Sequence, residues 1–171
     1  MSDRDETTER YIEHLFWFDK QQALYKEQLA EALIAFNRIE NFVSEMISTI
    51  LHHKNREELR TKLVNKQFAG RCEALELLLL TVPGAPRLPM DRLSALAGRR
   101  NDFAHGHFSA DADTGEMVLL GKGKATPWRE HDAILFLEEC AAVRYELNRI
   151  FAYVLFGGPP PEQLFPDINK E

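Results

Sequence analysis

The sequence has few of the features that mark secreted or membrane-bound proteins. It contains only two cysteines, Cys72 and Cys140, and neither lies in a C-x-x-C or comparable spacing. We therefore expect two free buried thiols, neither a disulfide nor a metal ligand. No apolar run approaches the roughly 20 residues that span a bilayer, and the charged start MSDRDETTER is unlike a secretory signal. These absences predict a cytoplasmic protein with no membrane contact.

Basic residues are also in the minority. The chain has 21 Lys and Arg against 27 Asp and Glu, a net charge of −6. Sequence-independent coating of nucleic acid depends on neutralising many phosphates, so this balance argues against it. A local basic site is still compatible with the composition. From Arg87 to Arg129 seven basic residues outnumber five acidic ones, which gives this part of the chain a charge of +2.

Glycine and proline are absent before Gly70, and such a stretch is most easily helical. One apolar stripe recurs every three or four residues along it, and its members are Leu29, Leu33, Phe36, Val43, Ile47 and Leu51. The pattern predicts helices over about 8–18, 21–51, 57–80, 89–105 and 131–155. Gly106 is the predicted stop of the helix that begins near Pro89.

The segment 107–125 interrupts the helical pattern with two short extended runs around DADTGE, which predicts a small β-hairpin or an ordered loop. Residues 157–171 are rich in proline and predict a non-helical tail. The predicted fold is all-α: a single domain over 1–156, built as an antiparallel four-helix bundle with the hairpin before the last helix.

The stretch GRRNDFAHGHF, residues 98–108, carries the most unusual chemistry. Arg100 follows Leu96 by four residues, so a continuing helix directs its guanidinium towards the apolar side. A buried charge is costly unless it is paired, and Glu40, in the middle of the apolar stripe, is a candidate partner. One interpretation is therefore a structural Glu40–Arg100 ion pair in a helical scaffold.

The other interpretation is a site that acts on a phosphodiester. Arg100 offers a permanent charge in a geometry that suits phosphate oxygens, and His105 is of the residue type best suited to proton transfer near neutral pH. Asn101 can orient the histidine or bind the ligand. Arg100 and His105 lie about 140° apart on one straight helix. They converge only if the histidine swings at Gly106 or if a second protomer contributes.

The residues Arg100 to Gly106, RNDFAHG, resemble the signature of the HEPN superfamily, in which four residues separate an arginine from a histidine. The likeness covers roughly residues 25–155, including FNRIE in the first long helix. It implies an antiparallel helical bundle that forms a homodimer, with two motifs lining one cleft. Many members are metal-independent endoribonucleases of toxin–antitoxin or antiviral defence systems. Others are non-catalytic modules that bind a nucleotide, an RNA or a partner protein.

The resemblance also implies roles for individual residues. Arg100 would stabilise charge on the pentacoordinate phosphate. His105 would be the acid or base for attack by the RNA 2′-hydroxyl, which leaves a 2′,3′-cyclic phosphate, and Asn101 would position one of the two. No metal or other cofactor is implied, and the expected partners are RNA and an antitoxin.

Four further basic residues around the motif are predicted substrate contacts: Arg99, His107, Lys122 and Lys124. In members that a nucleotidyltransferase regulates, a tyrosine often stands where this chain has His107, so this kind of regulation is not expected. Two interpretations of His107 stay open: it assists His105, or it is a surface histidine at the start of a strand.

Overall fold

A computed structural model describes residues 3–111, 116–121, 124–127 and 129–158 of the chain. The protein is largely helical, with one small antiparallel sheet. Its elements are α1 (Asp3–His53), a 3₁₀ turn (Glu57–Leu59), α2 (Arg60–Val64), α3 (Phe68–Leu79), α4 (Met90–His105), β1 (His107–Ala110), β2 (Met117–Gly121), β3 (Lys124–Pro127) and α5 (Glu130–Phe156). Among the described helices, none is both long and apolar enough to cross a membrane.

The chain divides into two compact units, and three helices contribute to both. Unit 1 comprises Met1–Ile34 and Gly98–Leu137, and unit 2 comprises Ala35–Ala97 and Glu138–Glu171, each as far as its residues are described. The predicted motif therefore belongs to unit 1. The prediction of one domain over 1–156 stays a prediction, and most of the predicted tail, from residue 159 onward, lies outside the described residues.

The helix boundaries correct the prediction at two places. The segments 8–18 and 21–51 are one continuous helix, α1, which ends where Asn55 adopts a left-handed φ of 53°; asparagine tolerates this conformation better than most residues. The predicted helix 57–80 is broken before α3, because Gln67 has an extended ψ of 159°. Tertiary contacts of α3 favour this break, since Phe68 packs edge-on against Phe36 with ring centroids 5.0 Å apart.

The core of unit 2 follows the predicted stripe of α1. Phe36, Val43, Ile47 and Leu51 are all buried as expected. Arg92 on α4 forms ion pairs with α5. Its guanidinium bonds the carboxylates of Glu139 and Glu146, each at 2.7 Å. The two acceptors lie seven residues apart, so one arginine bridges about two turns of α5.

Glu40 takes part in an ion pair whose partner within unit 2 is Arg71 on α3. The Arg71 Nη2 donates to Glu40 Oε1 at 3.0 Å, and the Nη1 donates to Ser44 Oγ at 2.9 Å. The side chains of Arg71 and Glu40 are only 15% and 20% exposed. The pair joins α3 to α1. The pairing of Glu40 with Arg100 stays a prediction.

Replacing Arg71 by alanine is expected to lower the free energy of unfolding by about 2 kcal/mol, because the change removes one charged partner of a largely buried carboxylate. Urea denaturation followed by circular dichroism measures the effect. Arg38→Ala is the matched control, since Arg38 is an exposed arginine on α1. Equal unfolding free energies for the two variants would show that the Arg71–Glu40 pair contributes nothing to stability.

The sheet of unit 1 has three strands, one more than the predicted hairpin. Its order is β1-β2-β3 with antiparallel pairing, and Phe108 lies opposite Leu119 while Gly121 lies opposite Lys124. Sequence alone missed β3 because its four residues, KATP, are too few to establish a strand pattern and end in a proline. The sheet follows α4 directly, and this succession forms the corner that carries the motif.

Candidate functional site

The motif occupies the corner between the end of α4 and the start of β1. The helix ends at His105, Gly106 belongs to neither element, and β1 begins at His107. The predicted stop at Gly106 is therefore confirmed. We refer to residues 100–108 as the α4–β1 corner.

Gly106 is required at the corner because there is no room for a side chain. A Cβ atom at this position would lie 2.5 Å from the Cγ of Leu119 and 2.7 Å from the carbonyl oxygen of Asp102. The prediction relied on the conformational freedom of glycine, but Gly106 does not adopt a positive φ. Close approach of β2 to the helix end is the reason for glycine here.

Tyr25 of α1 holds both sides of the corner. Its hydroxyl donates to the carbonyl oxygen of Phe103 at 3.3 Å, and its ring stacks on Phe108 with centroids 4.4 Å apart and planes 7° apart. Phe103 is in the last turn of α4, where carbonyls have no partner within the helix. Tyr25 is 6% exposed, and its burial raises the pKa of the phenol. The sequence reasoning missed this residue, although its spacing from Ala32 and Phe36 places it close to the apolar stripe.

Removing only the hydroxyl of Tyr25 tests whether its hydrogen bond to Phe103 stabilises the corner. We expect Tyr25→Phe to lower the free energy of unfolding by about 1 kcal/mol, because one buried hydrogen bond is lost and the stacking on Phe108 is kept. Hydrogen exchange should accelerate mainly at the Gly106 amide, which donates to Asp102 at 2.9 Å. Tyr153→Phe is the control, since its exposed hydroxyl bonds Pro83 in unit 2. An unchanged rate of hydrogen exchange at the Gly106 amide would show that the hydroxyl does not stabilise the corner.

Arg100 and Asn101 are joined by a hydrogen bond. The Arg100 Nη1 donates to Asn101 Oδ1 at 3.0 Å, with Arg100 half-buried and Asn101 exposed. On an α-helix, Asn101 lies about 100° from Arg100 and His105 about 140° from it, so Asn101 and His105 share one face. The guanidinium therefore reaches towards the face that carries His105. The backbone of α4 stays helical through His105.

Arg99, a predicted substrate contact, has a structural role. Its Nη2 donates to the carbonyl oxygen of Asp132 at 2.8 Å, and its guanidinium lies over the ring of Phe136 at 5.3 Å from the centroid. These contacts tie the end of α4 to the start of α5. The side chain remains half-exposed, and its contact with substrate stays a prediction.

The other predicted substrate contacts are distributed across the sheet. His107 is exposed at the start of β1, opposite Leu120, which confirms the strand-start position. Lys124 begins β3, two strands from β1, so their backbones are about 10 Å apart. Lys122 lies outside the described residues. The structure thus places His105 and His107 together and Lys124 farther away.

Outside the corner, the described residues offer little support for a reactive thiol or a metal site. Cys72 and Cys140 are both free and buried, as predicted. Burial raises the pKa of the Cys72 thiol to about 12, so it stays protonated at neutral pH and is a poor nucleophile. Within the described residues, no group of three or more His, Cys, Asp or Glu side chains is arranged to hold a metal ion.

The α4–β1 corner brings together four groups suited to acid–base and phosphate chemistry. Arg100, Asn101, His105 and His107 lie within eight residues. The function of the corner has to be judged from these residues, because the chain matches no protein-family model, no curated protein and no solved structure.

Proposed function

We propose that the protein is a HEPN-like, metal-independent endoribonuclease of a prokaryotic defence or toxin–antitoxin system. The observation that carries the proposal is the hydrogen bond from Arg100 Nη1 to Asn101 Oδ1. It directs a permanent positive charge towards the helix face on which His105 is exposed. A cation and an imidazole on neighbouring parts of one surface suit a phosphodiester better than a neutral ligand.

Each residue has a separate task in this reaction. Arg100 stabilises the extra negative charge on the pentacoordinate phosphate. His105 accepts the proton of the 2′-hydroxyl as that oxygen attacks phosphorus. Asn101 holds the guanidinium in place through the hydrogen bond already present. The product that retains the attacking ribose ends in a 2′,3′-cyclic phosphate.

The direct test is incubation of the purified protein with single-stranded and structured RNA in the presence of EDTA. We expect cleavage with a 2′,3′-cyclic phosphate end, and no cleavage by the double variant Arg100→Ala/His105→Ala. His53→Ala is the control, because His53 is an exposed histidine at the end of α1, in unit 2. Equal cleavage by the wild type and the double variant, or a strict need for divalent metal, would contradict the proposal.

The proposed fold is an antiparallel four-helix bundle of α1, α3, α4 and α5 that forms a homodimer. The dimer is part of the proposal because Arg100 and His105 leave α4 about 140° apart, and the bond to Asn101, about 100° from Arg100, turns the guanidinium only part of the way towards His105. A second copy related by a two-fold axis near the corner would place the arginine of one protomer opposite the histidine of the other, and two-fold dimers are the commonest closed assemblies.

Mixing two inactive variants tests the shared site. An Arg100→Ala protomer paired with a His105→Ala protomer would have one site with both functional residues, so mixing should restore about a quarter of the wild-type activity if subunits exchange at random. Sites contained within one protomer would give no recovery. Light scattering that shows only monomer at tens of micromolar would also contradict the dimer.

A second candidate function, a non-catalytic HEPN-like module that binds a partner protein, has a separate observation in its favour. Four large apolar side chains on α1 are exposed, with Phe16 at 73%, and they are Ile12, Leu15, Phe16 and Trp17. Exposed apolar groups of this density are typical of protein contacts. Growth of cells that overproduce the wild-type protein separates the candidates, because an active ribonuclease arrests growth and a binding module does not.

A further inference from the structure

Two exposed imidazoles flank one glycine at the α4–β1 corner. His105 is the last residue of α4 and His107 the first residue of β1, and both side chains are exposed. Because consecutive Cα atoms are about 3.8 Å apart, the two histidine Cα atoms are separated by at most about 7.6 Å. Gly106 has no side chain, so nothing of its own screens one imidazole from the other.

The corner holds this spacing through contacts on both sides. Tyr25 bonds the carbonyl of Phe103, two residues before His105, and stacks on Phe108, directly after His107. Leu119 of β2 lies so close to Gly106 that no Cβ could be added. The histidines are therefore separated by a fixed backbone, whereas two histidines in a free loop would have no constant separation.

Cleavage of RNA by its own 2′-hydroxyl needs two proton transfers. The 2′-oxygen forms a bond to phosphorus and loses its proton, while the bond from phosphorus to the 5′-oxygen breaks and that oxygen gains a proton. No electron donor or acceptor is needed, and the cyclic phosphate and the 5′-hydroxyl account for all the atoms. A single neutral histidine supplies only one of these transfers at the moment of reaction.

We infer that His107 is a further catalytic residue, the general acid that protonates the leaving 5′-oxygen, while His105 is the general base. This inference rests on the proposed function and adds the second proton-transfer group that the reaction requires. Two imidazoles fixed across one glycine can contact opposite sides of a single phosphodiester, with Arg100 supplying the positive charge. After each cleavage the protonated His105 and the neutral His107 return to their starting states by exchange with water.

The pH dependence of cleavage distinguishes the two roles. The wild type should show a bell-shaped profile, because the base must be neutral and the acid protonated. His107→Ala should lower the cleavage rate by about 100-fold. It should also abolish the decrease of the rate at high pH, because that decrease reflects loss of the proton from the general acid. His53→Ala should leave the profile unchanged. A His107→Ala variant that keeps both limbs and the wild-type rate would overturn the inference.

An activated leaving group gives a sharper test of the acid. Sulfur in place of the 5′-bridging oxygen leaves without protonation, so RNA with this single change at the wild-type cleavage site should be cut by His107→Ala within a few-fold of the wild-type rate. His105→Ala should stay inactive on the same substrate. Rescue of His105→Ala instead, or rescue of neither variant, would overturn the assignment of His107.

Titration of the wild-type protein with inorganic phosphate, followed by the imidazole resonances in NMR spectra, does not depend on activity. The resonances of His105 and His107 should shift with one common dissociation constant, while that of His53 stays unchanged. A shift of only one corner histidine would overturn the inference even if the wild type cleaves RNA. Absence of cleavage by the wild type would overturn the proposed function together with this role, so the two failures are distinguishable.

Discussion

Replacing His105 by alanine is expected to lower the rate of RNA cleavage by about 1,000-fold, within the range typical for loss of a general acid or base. Without the imidazole, the proton of the 2′-hydroxyl must pass to water, which is a weak base at neutral pH. The measurement is a single-turnover rate with excess protein, so that weaker RNA binding does not contribute. Circular dichroism of the variant should match the wild type, because His105 is exposed.

Variants of Arg100 and Asn101 should lower the cleavage rate by less than His105→Ala. Arg100→Ala should also lower the rate by about 100-fold or more, as for loss of one group that stabilises transition-state charge. Arg100→Lys should recover only part of the activity, because a lysine cannot bond Asn101 and a phosphate with the same planar geometry. Asn101→Ala should have the smallest effect. A rate for His105→Ala equal to that of His53→Ala would exclude the corner as the catalytic site.

The end of α4 could be predicted from sequence because its signals are local. The helical periodicity stops at a glycine, and the extended runs that follow have no helical spacing, so the boundary at His105 and the start of a sheet at His107 follow from short-range preferences. The continuity of α1 was also encoded locally, by the absence of glycine and proline in residues 3–53. The prediction divided this stretch because its first part is less regularly apolar, which does not by itself break a helix.

The contacts that the sequence did not indicate join residues far apart in the chain. Tyr25 bonds a carbonyl 78 positions away, and Arg99 bonds a carbonyl 33 positions away. Arg71, the partner of Glu40, is 31 positions away. Periodicity shows which residues face the interior, but not which polar atom they meet there. Sequence therefore indicated which residues of the corner are candidates for the proposed reaction, while the groups that fix its geometry required the structure.

Replacing Gly106 by alanine is expected to lower the free energy of unfolding by about 3 kcal/mol, at the upper end of the usual cost of overpacking. The new methyl group would meet Leu119 at 2.5 Å and the Asp102 carbonyl oxygen at 2.7 Å. The leucine side chain can move, but the carbonyl belongs to the last turn of α4 and cannot move without distorting the helix end. Urea denaturation measures the loss.

Gly98, in the interior of the same helix, is the matched control. A Cβ added there would meet nothing within 4 Å, so Gly98→Ala should raise the free energy of unfolding by about 0.5–1 kcal/mol, the usual gain in an exposed helix interior. The changes in unfolding free energy caused by Gly98→Ala and Gly106→Ala should therefore have opposite signs. A loss at Gly98 as large as that at Gly106 would show that α4 is sensitive to any added methyl group.

A double-mutant cycle separates the two contacts that exclude a side chain at Gly106. In a Leu119→Ala background the clash with the leucine side chain is absent. Gly106→Ala should then lower the free energy of unfolding by less than it does in the wild type, with a coupling free energy of about 1 kcal/mol. The remaining cost comes from the Asp102 carbonyl and from displacement of the corner. Because that displacement changes the spacing of His105 and His107, the double variant should stay poorly active even where it is folded. No coupling between the two changes would mean that β2 does not limit position 106, and that the helix end alone requires the glycine.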